Sequence, residues 1–379
     1  MKFQSPYLVL KSSGNSALLK LVCICWLITK LCCYKLWLAS RFFPLVPVHG
    51  SLQTVPASFH LLLLAVSLTG MLLFVLFPYK KIAALIFISE VLSCLLDQNR
   101  WQPWEYQFIC MLGAYIFIKN EQKVRFSWQL ILVSLYFFSG LNKCSPYFIY
   151  NVWNNLLLKN AAGITAPGQW LLRAGYALPF IEMLAAIALC FASTHKKAAW
   201  VLCAMHIFNL LVLGPVALNI NYVIWPWNIL MPLLLVGLFC KENIQVKEWI
   251  HWKPVYNIII LIAWWILPWL QFAGCWDKYL SGVLYSGRSQ YLYICSSGGN
   301  ANTRLSAWRV PVNKNTGCDT AISVYKWSMQ EMNSAPYPEE RVYRAIAIAF
   351  NKMYPASVNH FYLYRGGFNK KITVLVLPK

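Results

Sequence analysis

The chain has 379 residues and a net charge of +21, from 33 Lys+Arg against 12 Asp+Glu. Hydrophobic residues make up 59% and charged residues only 12%, about half the ~25% of an ordinary soluble domain, so a soluble surface of this size would be left uncovered. The 16% of aromatic residues excludes disorder, collagen, coiled coils and disulfide-dense scaffolds fail on composition, and a polytopic membrane protein remains.

A spanning helix needs about 20 mostly apolar residues. Nine runs approach this, centred within 17–39, 57–78, 81–97, 104–119, 126–142, 174–193, 198–216, 221–240 and 255–273. The second, eighth and ninth are the clearest. The first is interrupted by Lys20, Lys30 and Lys35, so an interfacial helix is its alternative. No small-residue cleavage pattern follows it, so it reads as a retained helix rather than a signal peptide. The stretch 144–173 is polar and punctuated by Gly and Pro. It suits a surface loop or a half-helix dipping into the bilayer.

Nine spans place Lys2, Lys11, Lys80, Lys81, Lys119, Lys123, Arg125, Lys196, Lys197, Lys241, Lys247 and Lys253 on one side. Arg41, Arg100, Lys143, Lys159 and Arg173 fall on the other. Basic residues mark the cytoplasmic side, so the amino terminus is expected in the cytoplasm and the carboxy-terminal segment across the membrane. These basic residues are dispersed between the apolar runs, which argues against nucleic acid as a partner.

From about residue 274 the composition changes. Residues 1–273 form the membrane domain, and 274–379 form a small extracytoplasmic α+β domain. QYLYIC (290–295), HFYLY (360–364) and KITVLVL (371–377) read as strands. YPEERVYRAIAIAFNKMYP (337–355) reads as a helix, with Glu339 and Glu340 in its first turn and Lys352 in its last. Thirteen cysteines are present. Most lie in apolar runs, where Cys acts as a small hydrophobe. In an oxidising compartment Cys275, Cys295 and Cys318 permit one disulfide of open pairing.

Ionisable groups at membrane depth are functional candidates. Glu90 lies midway in the third run, with Asp97 and Arg100 at its end. Glu182 lies in the sixth run, and His206 with Asn209 in the seventh. Lys143 closes the fifth run, beside Asn142. Glu90 and Glu182 each suit a cation from a neighbouring helix. No HxxxH or HExxH pattern supports a metal, and no GxSxG, P-loop or GxGxxG supports familiar soluble chemistry.

The segment YFFSGLNKCSPYFIYNVWNNLL (136–157) resembles the vitamin K-dependent γ-glutamyl carboxylases and their bacterial relatives, the HTTM (horizontally transferred transmembrane) proteins. In both, a helix ends in small-Gly-x-x-Lys, here Ser139-Gly140-Leu141-Asn142-Lys143. DQNRWQPWEYQF (97–108) and WPWNILMP (225–232) are similar in flavour. The DoxX-like quinone-associated proteins share such helix ends and are the nearest alternative. The resemblance implies a multi-pass fold, a bacterial inner membrane and a cavity for a quinone or isoprenoid lipid. It also implies that Lys143 is the base, in a quinol-dependent carboxylase-like or an oxidoreductase-like reaction.

Two departures remove glutamate carboxylation. The carboxylase's upstream histidine is matched by Trp104, and the external domain is too short for a propeptide-binding surface. Lys143 acts as a base only when neutral, which burial among apolar groups promotes. The third to sixth helices are expected to form the pocket, with Asn142 and either Glu182 or Asp97 near Lys143. The competing reading is a non-enzymatic scaffold whose basic external domain binds a protein or anionic lipid.

Overall fold

A computed structural model describes residues 14–240, 246–296, 303–312, 318–365 and 371–375. It is mostly helical, with a small carboxy-terminal antiparallel sheet. Among the described residues, seven helices are long and apolar enough to cross a membrane. They are Gly14–Cys32 (α1), Ala57–Leu76 (α2), Glu121–Lys143, Gln169–Ala188, His195–Leu213, Tyr222–Cys240 and Val255–Ala273.

Nine spans were expected. The third and fourth runs are helices of 17 residues, Lys80–Leu96 (α3), and 15 residues, Pro103–Phe117 (α4). Each is shorter than the ~20 residues a perpendicular crossing needs. Their lengths are set by the turn between them, where Asp97 leaves the helix in extended conformation and Pro103 opens the next helix. The six later helices include one from the 144–173 stretch: Glu121–Lys143 is α5, Phe148–Ala161 α6, Gln169–Ala188 α7, His195–Leu213 α8, Tyr222–Cys240 α9 and Val255–Ala273 α10. The stretch read as a loop or half-helix therefore contains α6, which is wound in the wide π manner.

Between helices in lipid the hydrophobic effect gives little drive, so association rests on close backbone approach and side-chain hydrogen bonds. α5 illustrates both. Gln129 donates to the Leu238 carbonyl at 2.7 Å, and Trp128 Nε1 donates to the Met111 carbonyl at 2.8 Å. At Gly140 the backbone of α7 comes so near that an added Cβ would lie 2.7 Å from Met183 N and 2.9 Å from Pro179 O.

Two buried charge clusters tie the bundle together. In the first, Lys30 of α1 lies 2.7 Å from Glu90 of α3, and Glu90 also accepts from Ser67 of α2. The residue that weakened the first run as a span is thus the partner of the first intramembrane carboxylate. In the second, Asp97 accepts from Arg41 and from the Val46 and Asn99 amides. Arg100 is fully buried and donates to the Leu36, Ser93 and Trp37 carbonyls, with His60 Nδ1 at 3.0 Å. Its planar fork meets acceptors spread over three segments, which a lysine's compact ammonium does not match. Arg100→Lys is expected to leave buried carbonyls unpaired, at about 1–3 kcal/mol each. A thermal midpoint in detergent equal to that of the wild type would contradict this.

Strands Gln290–Ser296 (β1), Arg309–Pro311 (β2), Thr320–Ser323 (β3), Asn359–Arg365 (β4) and Lys371–Val374 (β5) form one antiparallel sheet, in the order β2-β3-β1-β4-β5. Leu292 faces Leu363 and Ile294 faces Phe361 across the central pair, and all four are buried. Helix Glu340–Met353 covers them with Val342, Tyr343, Ile346, Ala347 and Phe350, a helical stripe. The three expected strands and this helix are present, although 376–377 of the last strand lie outside the described residues. Strands β2 and β3 and helix Val324–Met332 were not foreseen. Cys295 pairs with Cys318 as a disulfide, and Cys275 is free and exposed.

The carboxy-terminal unit sits on the end of the bundle that carries Arg41, Arg100 and Lys143. Glu331 accepts from the Phe43 amide at 3.1 Å, Arg341 donates to Gln98 at 2.8 Å, and Tyr337 N donates to Asn99 at 3.1 Å. Phe43 packs edge-on against Trp327, with centroids 4.8 Å apart. Tyr337 donates to Asp277 at 2.8 Å. Burial first, and the Asp277 charge next, hold this phenol well above its ordinary range.

Candidate functional site

α5 carries Tyr136, Ser139 and Lys143 at spacings of three, four and seven. These positions share one helix face over about 10 Å of rise. That face borders a cavity of about 320 Å³, walled by α5, α6, α7, α8 and α9. The volume is at the small end of ligand sites, which run to about 1,000 Å³. Most of the wall is apolar. Polar groups converge on it from four helices: Lys143 and Tyr136, Glu182, His206 with Asn209, and Asn228.

Lys143 Nζ lies 2.7 Å from Glu182 Oε2 and 2.8 Å from Ser139 Oγ. The lysine side chain is 15% exposed and the glutamate 5%. Lys143 thus meets Glu182, one of the two carboxylates expected near it, at ion-pairing distance.

Tyr136, His206 and Asn228 form a second polar chain. Asn228 Nδ2 donates to the Ile224 carbonyl at 3.0 Å, which leaves its Oδ1 as an acceptor toward His206 Nδ1 at 2.8 Å. Nδ1 therefore carries the histidine proton, and Nε2 accepts from the Tyr136 hydroxyl at 2.7 Å. The histidine reads as hydrogen-bonded within the bundle, and it also borders the cavity. Asn209, three residues on, lines the same wall.

The cavity has a side opening and a roof. Ile181 and Val201 line it while being 48% and 43% exposed on the flank of the bundle, so it opens laterally between α7 and α8. Leu284 and Tyr285, from the segment leading to β1, close it on the carboxy-terminal side. Asn221 donates to the Tyr285 hydroxyl at 2.6 Å.

Four expected members of the site stand elsewhere. Asn142 points away from the cavity, accepting from Gln271 at 2.7 Å and donating to the Phe138 carbonyl at 2.8 Å. Glu90 belongs to the Lys30 cluster, and Asp97 and Arg100 to the cluster beneath the carboxy-terminal unit. Of the four helices expected to form the pocket, the fifth and sixth, here α5 and α7, wall it, and α6, α8 and α9 stand in place of the third and fourth. Asn142 turns away because it is one residue, or about 100°, from Lys143.

Tyr136 and Asn228 were missed. Asn228 sits mid-run in WPWNILMP and falls under the same rule that singled out Asn209. Tyr136 offered no signal, because tyrosine is abundant throughout the chain. Among the described residues no group of three or more His, Cys, Asp and Glu is placed to hold a metal ion.

No protein-family model matches the chain, and neither a curated protein nor a solved structure matches it.

Proposed function

We propose that this is an HTTM-like integral membrane protein that holds a quinone or another isoprenoid lipid in the α5–α9 cavity, its polar head toward Lys143 and Glu182. The observation that carries this reading is the combination of a lateral opening and apolar walls with polar groups gathered inside. An apolar tail enters from the bilayer without crossing water, and a head with oxygen acceptors meets the ammonium and the Asn209 amide. Where the bound molecule releases a proton, the ion pair is the acceptor as a unit. Glu182 takes the proton of Lys143, which then accepts the ligand's. The resemblance around Gly140–Lys143 supports the same assignment. A cavity with converging polar groups favours this reading over a scaffold, which needs only a solid bundle.

Lipids retained by the purified protein test it, with mass spectrometry of wild type beside Lys143→Ala and Val201→Trp. The first variant removes the polar anchor and the second fills the side opening. An isoprenoid lipid is expected in the wild type and is expected to fall about tenfold in each variant, the effect of losing about 1.4 kcal/mol of binding. Ordinary phospholipid alone in all three samples would abandon the cavity reading in favour of a scaffold with a partner at the carboxy-terminal unit.

The proposal includes nine spans, with α3 and α4 as short legs, an amino terminus in the cytoplasm and the carboxy-terminal unit outside, in a bacterial inner membrane. Its supports are the twelve-to-five division of basic residues and the Cys295–Cys318 disulfide, a bond characteristic of oxidising compartments. Cys275 is exposed and makes the arrangement testable. A membrane-impermeant maleimide is expected to label it in intact cells. Labelling only after lysis would invert the orientation.

A further inference from the structure

The cluster around Lys30 contains two carboxyl groups, not one. Glu105 of α4 is fully buried, with Oε2 accepting from Trp26 Nε1 at 2.6 Å. Its Oε1 lies 4.0 Å from Lys30 Nζ, beyond a hydrogen bond, and has no donor among the described residues. The same ammonium lies 2.7 Å from Glu90, so two carboxyl groups converge on one cation. Two ionised carboxylates are acceptors only. Brought together without water they repel, and such pairs retain one proton between them.

Charge counting agrees. The side chains of Lys30, Glu90 and Glu105 are each 0–1% exposed. One ammonium with two carboxylates would leave a net negative charge at the centre of the bundle, where an unpaired charge is costly. Lys30 is committed to its role as the cation. It sits 2.7 Å from Glu90 and 2.9 Å from the centre of the Trp37 ring, a placement that only the ammonium benefits from. Among the described residues the surrounding groups supply no second positive charge. Cys23, Cys33 and Cys94 feel the cluster from α1, its end and α3, and Ser67 approaches from α2. Arg100, which also borders the Trp37 ring, is occupied by backbone carbonyls and by Asp97.

We propose that Glu90 and Glu105 share a single proton, so that with Lys30 they form a neutral, intramembrane proton-binding site separate from the α5–α9 cavity. The proton is held by the carboxyl groups of α3 and α4 together, with Ser67 and Trp26 each donating to one oxygen of Glu90 and of Glu105. The site joins α1, α2, α3 and α4 through one exchangeable proton.

Infrared spectroscopy of the full-length protein in lipid tests this. A protonated carboxylic acid has a carbonyl stretch separate from those of carboxylates and amides. The wild type at neutral pH is expected to show one such band that shifts with ¹³C-labelled glutamate. Glu105→Gln and Glu90→Gln are each expected to abolish it, because the amide then donates to the remaining carboxylate. Glu182→Gln is expected to leave it in place. Absence of a glutamate band in the wild type would overturn the proposal, and that measurement requires no variant to fold. A band surviving in both Glu90→Gln and Glu105→Gln would overturn it equally.

Discussion

Replacing Lys30 with methionine is expected to destabilise the protein by about 3–5 kcal/mol, the cost of removing one member of a buried ion pair and leaving its partner charged. Both side chains of the Lys30–Glu90 pair are enclosed, at 0% and 1% exposure. No solvent is available to screen the carboxylate left behind. The loss should appear as a fall in the thermal midpoint in detergent. Lys30→Met/Glu90→Leu should recover part of it, since the remaining carboxyl, Glu105, can then be neutral. A change in the single variant within about 0.5 kcal/mol, the range of ordinary surface substitutions, would mean that the pair is not enclosed.

Gly140→Val should be nearly as damaging and should also disable the cavity. The obstacle is backbone on the facing helix, with Met183 N 2.7 Å and Pro179 O 2.9 Å from the added Cβ. Neither can rotate aside, so α7 must move away from α5. Overpacking of this kind costs about 1–3 kcal/mol, and the displacement separates Glu182 from Lys143. Two other glycines make controls. At Gly70 the near atom is a side-chain carbon of Ile86 at 2.8 Å, which can turn away, and at Gly50 nothing lies within 4 Å. Gly70→Ala should therefore cost less, and Gly50→Ala almost nothing. Equal melting of the three variants would refute the close α5–α7 contact. Retained lipid in Gly140→Val would separate that contact from the cavity.

The membrane class was legible because it depends on composition and on run length, both local properties. The clear runs at 57–78, 221–240 and 255–273 are the helices Ala57–Leu76, Tyr222–Cys240 and Val255–Ala273. The helix at 340–353 was readable for the same reason, its acidic start, basic end and apolar stripe all lying within one segment. Strands β2 and β3 were not. They have three and four residues, too few for an alternating pattern, and they are strands because β1 offers an edge.

Polar and ionisable residues within apolar runs could also be found by position alone, since polarity at membrane depth is costly wherever it occurs. Lys143, Glu182, His206 and Asn209 were found that way, and the structure brings all four to one cavity. Glu90, Asp97, Arg100 and Asn142 were found by the same rule and do not line it. Partnership is what the sequence withholds. Lys30 lies 60 residues before Glu90, and Lys143 39 before Glu182. Only the angular setting of each helix decides which cation meets which carboxylate.

By itself, then, the sequence determined that the chain enters a membrane, where its clearest helices lie and which side chains are too polar for lipid. Each follows from a free energy of transfer summed along a short segment. The tertiary structure decided the rest: that Lys143 meets Glu182 and not Asp97, that α6, α8 and α9 complete the cavity with α5 and α7, and that Glu90 and Glu105 both approach Lys30. These are contacts between helices distant in the chain. Their energies depend on separations of a few ångströms, which no pattern along a single helix records.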